Sequence, residues 1–218
     1  MVIKQTSFKH GWWYFYRVHL TKTKDLTQPF PALNEFLLKV FDDCPHDHFE
    51  VEPRSSKLRF PLSSLNLQHI SQHELTELTK LGLEHNATRY KSNHSKVQLF
   101  MLENDQNTIA IEVPLWLHPE ELKNYEQLFN CKTPLTGHID ALRIEDDKIW
   151  IWDYKPNARK EKYAATQVYF YAYMLSQRTN IPFENFRCGY FDNINTYVFD
   201  PNHCNLPHLE QSTLQKLF

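Results

Sequence analysis

Glycine is scarce in this sequence, with 4 residues in 218, which argues against a glycine-rich repeat or a low-complexity protein. No apolar run approaches the roughly 20 residues that a membrane-spanning helix needs. The cysteines, Cys44, Cys131, Cys188 and Cys204, lie far apart and form no CxxC pair. Neither a zinc ribbon nor a redox pair is therefore indicated. We expect reduced thiols in a cytoplasmic protein.

The charge is nearly balanced, at −2 overall, which excludes a uniformly basic nucleic-acid coat protein. Basic residues concentrate in two places, 1–24 and 155–162. Either patch could hold a phosphate backbone, and ordinary solvated surface is the alternative. The proportion of hydrophobic residues, 41%, is that of a soluble globular protein.

The pattern along the chain predicts helices that alternate with strands. The first 60 residues look irregular and aromatic-rich apart from a helix over 31–41, and a helical region follows from about 63 to 95, with Ser71 and Glu74 as a capping box. The remaining predicted elements are strands over 107–117, 135–145 and 148–155, a helix over 159–177, and one or two strands between 185 and 200. This order predicts an α/β (α+β) fold, a mixed sheet flanked by helices.

Residues 135–155 predict a β-hairpin whose turn centres on Asp146 and Asp147. In that register Leu142 faces Ile151, and Asp140 faces Asp153. All four side chains share one face of the sheet, which is otherwise apolar. Two carboxylates meeting at the edge of a core are costly unless a proton or a cation lies between them. Oxygen ligands at this spacing suit Mg²⁺ or Mn²⁺.

Lys155 lies two residues after Asp153 and projects from the same face. Such a lysine could orient an attacking water or stabilise negative charge that develops on a phosphate. Gln167 and Tyr171 are four residues apart, so they share one face of the following helix. They could hold a phosphate or a base near the metal, or they could be ordinary aromatic packing.

Three segments taken together resemble a known family. "GHID" at 137–140, "WDYK" at 152–155 and "QVYFY" at 167–171 are similar to the motifs of the PD-(D/E)XK nuclease superfamily, in particular its RecB-like branch. That branch includes nuclease domains of bacterial recombination exonucleases and a CRISPR-associated nuclease. The resemblance covers roughly residues 80–195 and implies a restriction-endonuclease-like core.

The resemblance also implies roles for individual residues. Asp140, Asp153 and the backbone carbonyl of Tyr154 would bind the metal, and Lys155 would be the catalytic lysine. A histidine on the helix before the sheet would be a further metal ligand, and His85 in "LGLEHN" is the candidate. An acid on the preceding strand is common too, and Glu112 in "IEVPLW" fits it as a catalytic residue.

The same resemblance implies how DNA is held. Gln167 and Tyr171 would position the site or the DNA, and Arg159 and Lys160 would contact the strand. Near the N-terminus, "WWY" at 12–14 could stack on unpaired bases or pack in an aromatic core. The predicted domains are an N-terminal elaboration over 1–75, a nuclease core over 76–200 and a tail over 201–218.

The resulting expectation is a Mg²⁺- or Mn²⁺-dependent deoxyribonuclease, an exonuclease acting on linear or single-stranded DNA. The alternatives are a structure-specific or restriction-type endonuclease, and an inactive DNA-binding subunit with the same fold. The isolated cysteines predict no iron–sulfur cluster. Because no GxxxxGK[ST] motif occurs, the chain is expected to act free-standing or with a partner such as a helicase or recombination factor.

Twelve histidines also raise the question of zinc. "CPHDHFE" at 44–50 and "HISQH" at 69–73 bring cysteine, histidine and aspartate close in sequence. In the second segment Ser71 has the position of a helix cap, which breaks the i,i+4 geometry that two histidines need on a continuous helix. The sequence therefore does not predict a zinc site.

Overall fold

An eight-stranded sheet organises the chain in a computed structural model that describes residues 2–207. Its strands are β1 (Ile3–His10), β2 (Trp12–His19), β3 (Gln68–Ile70), β4 (Thr108–Leu117), β5 (Leu135–Glu145), β6 (Lys148–Tyr154), β7 (Phe186–Phe191) and β8 (Thr196–Phe199). They lie in the order β1-β2-β4-β5-β6-β7-β8-β3. Among these strands of residues 2–207, only the β6–β7 pair is parallel, so the sheet is mixed.

Helices cover both faces of this sheet. They are α1 (Leu20–Leu26), α2 (Pro31–Asp43), α3 (Glu74–His85), α4 (Asn93–Asn104), α5 (Tyr125–Phe129) and α6 (Ala164–Thr179). Residues of α2 and α6 enter the larger apolar cluster, and residues of α3 and α4 enter the second one. Helix α6 is the crossover that parallel strands such as β6 and β7 require. The predicted α/β class with a mixed sheet flanked by helices is confirmed.

The β5–β6 hairpin has the predicted register. Leu142 pairs with Ile151, and both side chains belong to the larger apolar cluster. Asp146 and Asp147 have φ values of +49° and +54°. Positive φ at both central residues is the signature of a type I′ turn, which matches the twist of a two-residue hairpin. The turn thus fixes which residues of β5 and β6 meet at the far end.

Several other predicted elements are confirmed. The helix expected over 31–41 is α2, the three central strands are β4, β5 and β6, and the last two strands are β7 and β8. The helix expected over 159–177 begins later, at Ala164. Residues 158–160 instead form a 3₁₀ turn, in which the Ala158 N–H donates to Asp192 Oδ2 at 2.8 Å.

Two predictions for the first half of the chain were wrong. The first 60 residues are not irregular, because β1 and β2 form a hairpin that joins the sheet beside β4. The region from 63 to 95 is not uniformly helical, since it contains β3 and then α3. Ser71 does not cap α3; His73 does, accepting the Leu75 N–H at 3.2 Å. The cap is therefore an imidazole that the capping-box pattern does not describe.

The predicted domain boundaries stay predictions. Strands β1 and β2 extend the sheet at one edge, and β3 forms the other edge strand. Of the tail expected over 201–218, residues 208–218 lie outside the described residues.

Candidate active site

Three carboxylates lie at adjoining positions on three neighbouring strands. In the β4–β5 ladder, Glu112 and Asp140 stand between the pairs 111–141 and 113–139. In the β5–β6 ladder the last pair is 141–152, so Asp140 and Asp153 are the next residues of the two strands. All three line one pocket of about 530 Å³, together with Lys155. The two aspartates therefore lie on the same side of the sheet.

Glu112 reaches this pocket because the strand alternation is interrupted there. Its φ is +52°, a left-handed conformation that is uncommon for residues other than glycine. Ile111 packs in the second apolar cluster and Val113 in the larger one, although regular alternation would put both on one face. The carboxylate accepts a hydrogen bond from Gln98 Nε2 at 2.8 Å. Strain of this kind concentrates at functional sites.

Gln167 on α6 connects the acid and the lysine. Its Nε2 donates to Asp153 Oδ1 at 3.0 Å and to the Tyr171 hydroxyl at 2.7 Å. Its Oε1 accepts from Lys155 Nζ at 2.9 Å, and the same ammonium lies 2.8 Å from Asp153 Oδ2. The helical i,i+4 spacing of Gln167 and Tyr171 thus serves one continuous network.

Gly137 makes room for this network. A Cβ at that position would lie 2.3 Å from Tyr171 Cε1 and 2.9 Å from Ser55 Oγ. Tyr171 is buried, so its ring has no free space into which to move. The glycine of the G-x-x-D pattern is therefore explained by the close approach of α6 to β5.

Asp140 is held by the neighbouring strand. Its Oδ2 accepts the Tyr154 backbone N–H at 2.8 Å. His94 Nε2 lies 3.8 Å from the same oxygen, and the His94 ring packs edge-on against Tyr154 with centroids 5.0 Å apart. A histidine from the first turn of α4 thus joins the acids.

The structure does not bring His85 to this pocket. His85 is exposed at the end of α3, and its ring contacts Phe100 with centroids 5.6 Å apart. The position expected for a histidine is occupied by His94, which the sequence analysis missed. The available signal was Ser92, which caps α4 by accepting the Ser95 N–H at 3.0 Å. Because residues 97–102 are all buried, α4 lacks the amphipathic periodicity that reveals a helix.

Arg159 and Lys160 also lie away from the pocket lining. Both are exposed in the 3₁₀ turn that follows β6. Gln167 and Tyr171, expected to position the site or the DNA, do line the pocket, but their polar atoms bond to one another and to site residues. Their contacts are those of residues that position Asp153 and Lys155.

Burial and charge repulsion raise the pKa values of two of the acids in this pocket. Burial, together with Asp140, raises the pKa of Glu112 from 4.5 to about 8. Burial also raises the pKa of Asp153 from 3.8 to about 6, although Lys155 opposes the rise. For Lys155 itself, burial lowers the pKa, but the attraction of Asp153 and Asp140 outweighs burial, so the pKa is raised. The lysine is therefore charged at neutral pH.

These properties fit a divalent cation. Within residues 2–207, the close polar neighbour of buried Asp153 Oδ2 is the Lys155 ammonium, at 2.8 Å. A cation would offset the burial and the repulsion from Asp140 that together raise both acid pKa values. Mg²⁺ binds through one or two carboxylates and fills its remaining positions with water and substrate phosphate, as an open pocket of this kind permits.

Aromatic and basic side chains surround the mouth of the pocket. Trp12 and Trp13 of β2 also line it, and they are 75% and 53% exposed. Phe15, at 49%, follows on the same strand. Arg17 and Lys91 add positive charge to the lining. This composition is typical of a surface that contacts a phosphate backbone and stacks on bases.

A mixed sheet that presents three carboxylates and a charged lysine in one pocket has the side chains that metal-assisted hydrolysis of phosphodiester bonds uses. A family model for the PD-(D/E)XK nuclease superfamily matches residues 26–213 of the sequence. The chain belongs to the PD-(D/E)XK nuclease superfamily. Members of this superfamily are nucleases that bind DNA and generally use divalent metals such as Mg²⁺.

Comparison with the curated proteins gave no significant match, and neither did comparison with the solved structures. Within residues 2–207, no helix is both long enough and apolar enough to cross a membrane.

Proposed function

We propose that this protein is a Mg²⁺- or Mn²⁺-dependent deoxyribonuclease of the RecB-like branch, acting as an exonuclease on linear or single-stranded DNA. The observation that carries the proposal is the network in which Gln167 joins Asp153 to Lys155 beside Asp140. An inactive subunit would have no need to hold a partly buried lysine against an acid. The Gln167–Tyr171 pair supports the RecB-like branch, because a branch without a Gln and a Tyr on this helix would lack this bridge between Asp153 and Lys155.

Four side chains would hold the cation: Asp140, Asp153, Glu112 and His94, with the Tyr154 backbone carbonyl as a further ligand. We assign the histidine ligand to His94 and not to His85, because the Nε2 atom of His94 is close to Asp140. The bound cation would supply Lewis-acid polarisation of the phosphate and would make water a better nucleophile. The raised pKa values of Glu112 and Asp153 mean that cation binding competes with protons at these carboxylates.

Lys155 would stabilise the negative charge that develops on the phosphate during hydrolysis. Its ammonium is fixed between Asp153 and Gln167, so little reorganisation is needed when charge appears nearby. The Tyr171 hydroxyl accepts a hydrogen bond from Gln167 Nε2 and so fixes the Gln167 amide. Gln167 and Tyr171 are therefore positioning residues for Lys155 and Asp153.

Unpaired bases would stack on Trp12 and Trp13 at the pocket mouth. Arg17 and Lys91 would contact the phosphates entering the pocket. Arg159 and Lys160, exposed beyond β6, would hold the strand farther from the acids. An exonuclease needs such a path for one strand, because its substrate enters by an end.

The test is a nuclease assay on end-labelled linear DNA, single- and double-stranded, with Mg²⁺ or Mn²⁺ against EDTA. Lys155→Ala should reduce the cleavage rate on the order of 10²-fold or more. Lys148→Ala is the matched control, since Lys148 begins the strand that Asp153 and Tyr154 end. Circular single-stranded DNA resistant to cleavage would indicate that an end is required.

The other outcomes separate the alternatives. Cleavage of closed circular DNA would replace the exonuclease with a structure-specific or restriction-type endonuclease. Metal-independent binding of DNA without cleavage would indicate an inactive subunit. If cleavage appeared only after addition of a helicase or recombination factor, a protein partner would complete the enzyme. Activity that survives in Lys155→Ala would refute the proposed role of the lysine.

A further inference from the structure

A second group of metal-binding side chains lies outside the acidic pocket. Within residues 2–207, His10, Cys44 and His46 form the group of three or more histidine, cysteine or acidic residues whose donor atoms all lie within 4.8 Å of one another. None of these three residues lines the acidic pocket. They come from the end of β1, the residue that follows α2, and the 3₁₀ turn after it.

Local backbone geometry brings Cys44 and His46 together. Pro45 between them has φ −77° and ψ +77°, and the His46 N–H donates to the Cys44 carbonyl at 2.9 Å. This is an inverse γ-turn, and the proline ring holds the φ that such a turn requires. The C-P-H segment therefore presents a thiol and an imidazole at a fixed separation.

His10 completes the group with a defined ring orientation. Its Nδ1 lies 2.8 Å from His138 Nε2, and its Nε2 lies 2.9 Å from His46 Nδ1. Metal-binding histidines commonly have one ring nitrogen fixed by a hydrogen bond so that the other faces the ion. Phe49 stacks on the His10 ring with centroids 3.8 Å apart and excludes water from that side.

We propose that His10, Cys44 and His46 bind one Zn²⁺ ion at a structural site separate from the catalytic cation. Two imidazoles and a thiolate are donors that Zn²⁺ prefers and that Mg²⁺ does not. Ligand atoms around a tetrahedral zinc ion are separated by roughly 3.3–3.6 Å, given the usual Zn–N and Zn–S bond lengths. The 2.9 Å between the two histidine nitrogens is therefore close to the spacing that binding requires.

The fourth ligand would be water. His10 and Cys44 are buried, whereas His46 is exposed, so the open side of the group faces solvent at His46. On binding, the Cys44 thiol loses its proton to solvent and binds as the thiolate. The ion would connect the end of β1 to the end of α2. It would thereby anchor the hairpin that carries Trp12 and Trp13.

The experiment measures zinc in the full-length protein, purified after expression with zinc and then washed with EDTA at low concentration. Elemental analysis should find one zinc per chain in the wild type and in Asp153→Asn, which changes only the acidic pocket. Cys44→Ser and His46→Gln should each lower the zinc content at least tenfold. Cys131→Ser and His48→Gln are matched controls and should retain it, because neither belongs to the group.

Substitution with Co²⁺ gives a second readout. The wild type should show a thiolate-to-Co²⁺ charge-transfer absorption in the near ultraviolet, absent in Cys44→Ser. His46 is exposed, so His46→Gln is expected to fold, which circular dichroism would verify. Substoichiometric zinc in the wild type, a Co²⁺ spectrum without the thiolate band, or equal loss in Cys131→Ser would each overturn the proposal. Because none of these readouts is nuclease activity, they stand apart from the proposed function.

Discussion

Gln167 is the residue through which the acid and the lysine of the site depend on each other. Its amide nitrogen donates to Asp153, and its amide oxygen accepts from Lys155. A side-chain amide can do both, since its donor nitrogen and its acceptor oxygen are bonded to the same carbon. Neither a carboxylate nor an apolar side chain could replace it without leaving a buried partner unpaired.

Gln167→Leu should lower cleavage activity about 10- to 100-fold, the usual effect of removing a residue that orients a metal ligand. The Mg²⁺ concentration for half-maximal activity should rise, because Asp153 loses a hydrogen bond that orients it. Gln167→Glu keeps the acceptor for Lys155 and should retain more activity than the leucine variant. Gln177→Leu, farther along α6, is the control. An unchanged Mg²⁺ requirement in Gln167→Leu would contradict the positioning role.

Glu112 makes the metal-free protein sensitive to pH. Its pKa is about 8 when folded, against an ordinary value of 4.5. Between pH 6.5 and 8 the folded chain therefore holds a proton that the unfolded chain has lost. Stability must then fall as pH rises, by about 1 kcal/mol per unit near neutrality and less as pH approaches the folded pKa.

Urea unfolding in EDTA across pH 6.5–8 measures this dependence. Glu112→Gln should flatten the curve, because the amide does not titrate. This pH range excludes two groups whose titration would make stability rise with pH. The pKa of His10 is lowered to about 3, so its effect lies below pH 6.5, and the pKa of Lys22 is lowered to about 8, so its effect lies above pH 8. A wild-type curve as flat as that of Glu112→Gln would show that this carboxyl is ionised in the folded protein.

Among the elements, the β1–β2 hairpin has the most exposed aromatic surface beside the pocket. Trp12 and Trp13 are more than half exposed, which is unusual for side chains of this size. The hairpin pairs with β4 at Arg17 and Val18, and its aromatic end lines the same pocket as Glu112. An exposed aromatic surface beside an acidic pocket fits a ligand with flat faces, and unpaired bases are such a ligand.

Replacing both tryptophans by alanine should weaken binding of single-stranded DNA on the order of 10- to 100-fold, since base–aromatic stacking contributes about 1–3 kcal/mol per base. Fluorescence anisotropy of a labelled oligonucleotide, in an Asp153→Asn background that prevents cleavage, measures the change. Ile194→Ala is the control, because Ile194 is 70% exposed and lies outside the pocket lining. An equal loss of duplex binding would argue against recognition of unpaired bases.

Across the whole molecule, Arg143 joins the sheet to the helical layer that carries His94. Its buried guanidinium donates to Asp105 Oδ2 at 2.9 Å and also bonds to Glu74 at the start of α3. Asp105 follows directly after α4 and also accepts the Thr108 N–H that opens β4. One buried cation thus fixes α3, α4 and β4 relative to β5.

Arg143→Met should lower the free energy of unfolding by about 3–5 kcal/mol, because Asp105 would remain buried without its cation. Arg89→Met removes an exposed ion pair with Glu103 and should cost under about 1 kcal/mol. Urea unfolding of both variants at one pH gives the comparison. Equal costs would show that Arg143 is not the connection between the layers.

The amino-acid sequence by itself determined the part of the site that local geometry governs. The register of β5 and β6 follows from alternating apolar residues and a two-residue turn, so the approach of Asp140 and Asp153 was predictable. Gln167 and Tyr171 bond to each other because helical spacing places them on one face. These features involve short separations along the chain, within which strand and helix periodicity hold.

Only the tertiary structure decided which distant side chains join them. His94 rather than His85 reaches Asp140 because α4 packs beside β4, and its unbroken buried stretch over 97–102 shows no amphipathic periodicity. The N-terminal hairpin belongs to the sheet because β2 pairs with β4. Pairing between segments so far apart in the chain leaves no local sequence pattern. His10 meets Cys44 and His46 for the same reason. Contacts between segments that are remote in the chain depend on how complete helices and strands pack together. Local sequence patterns therefore do not reveal them.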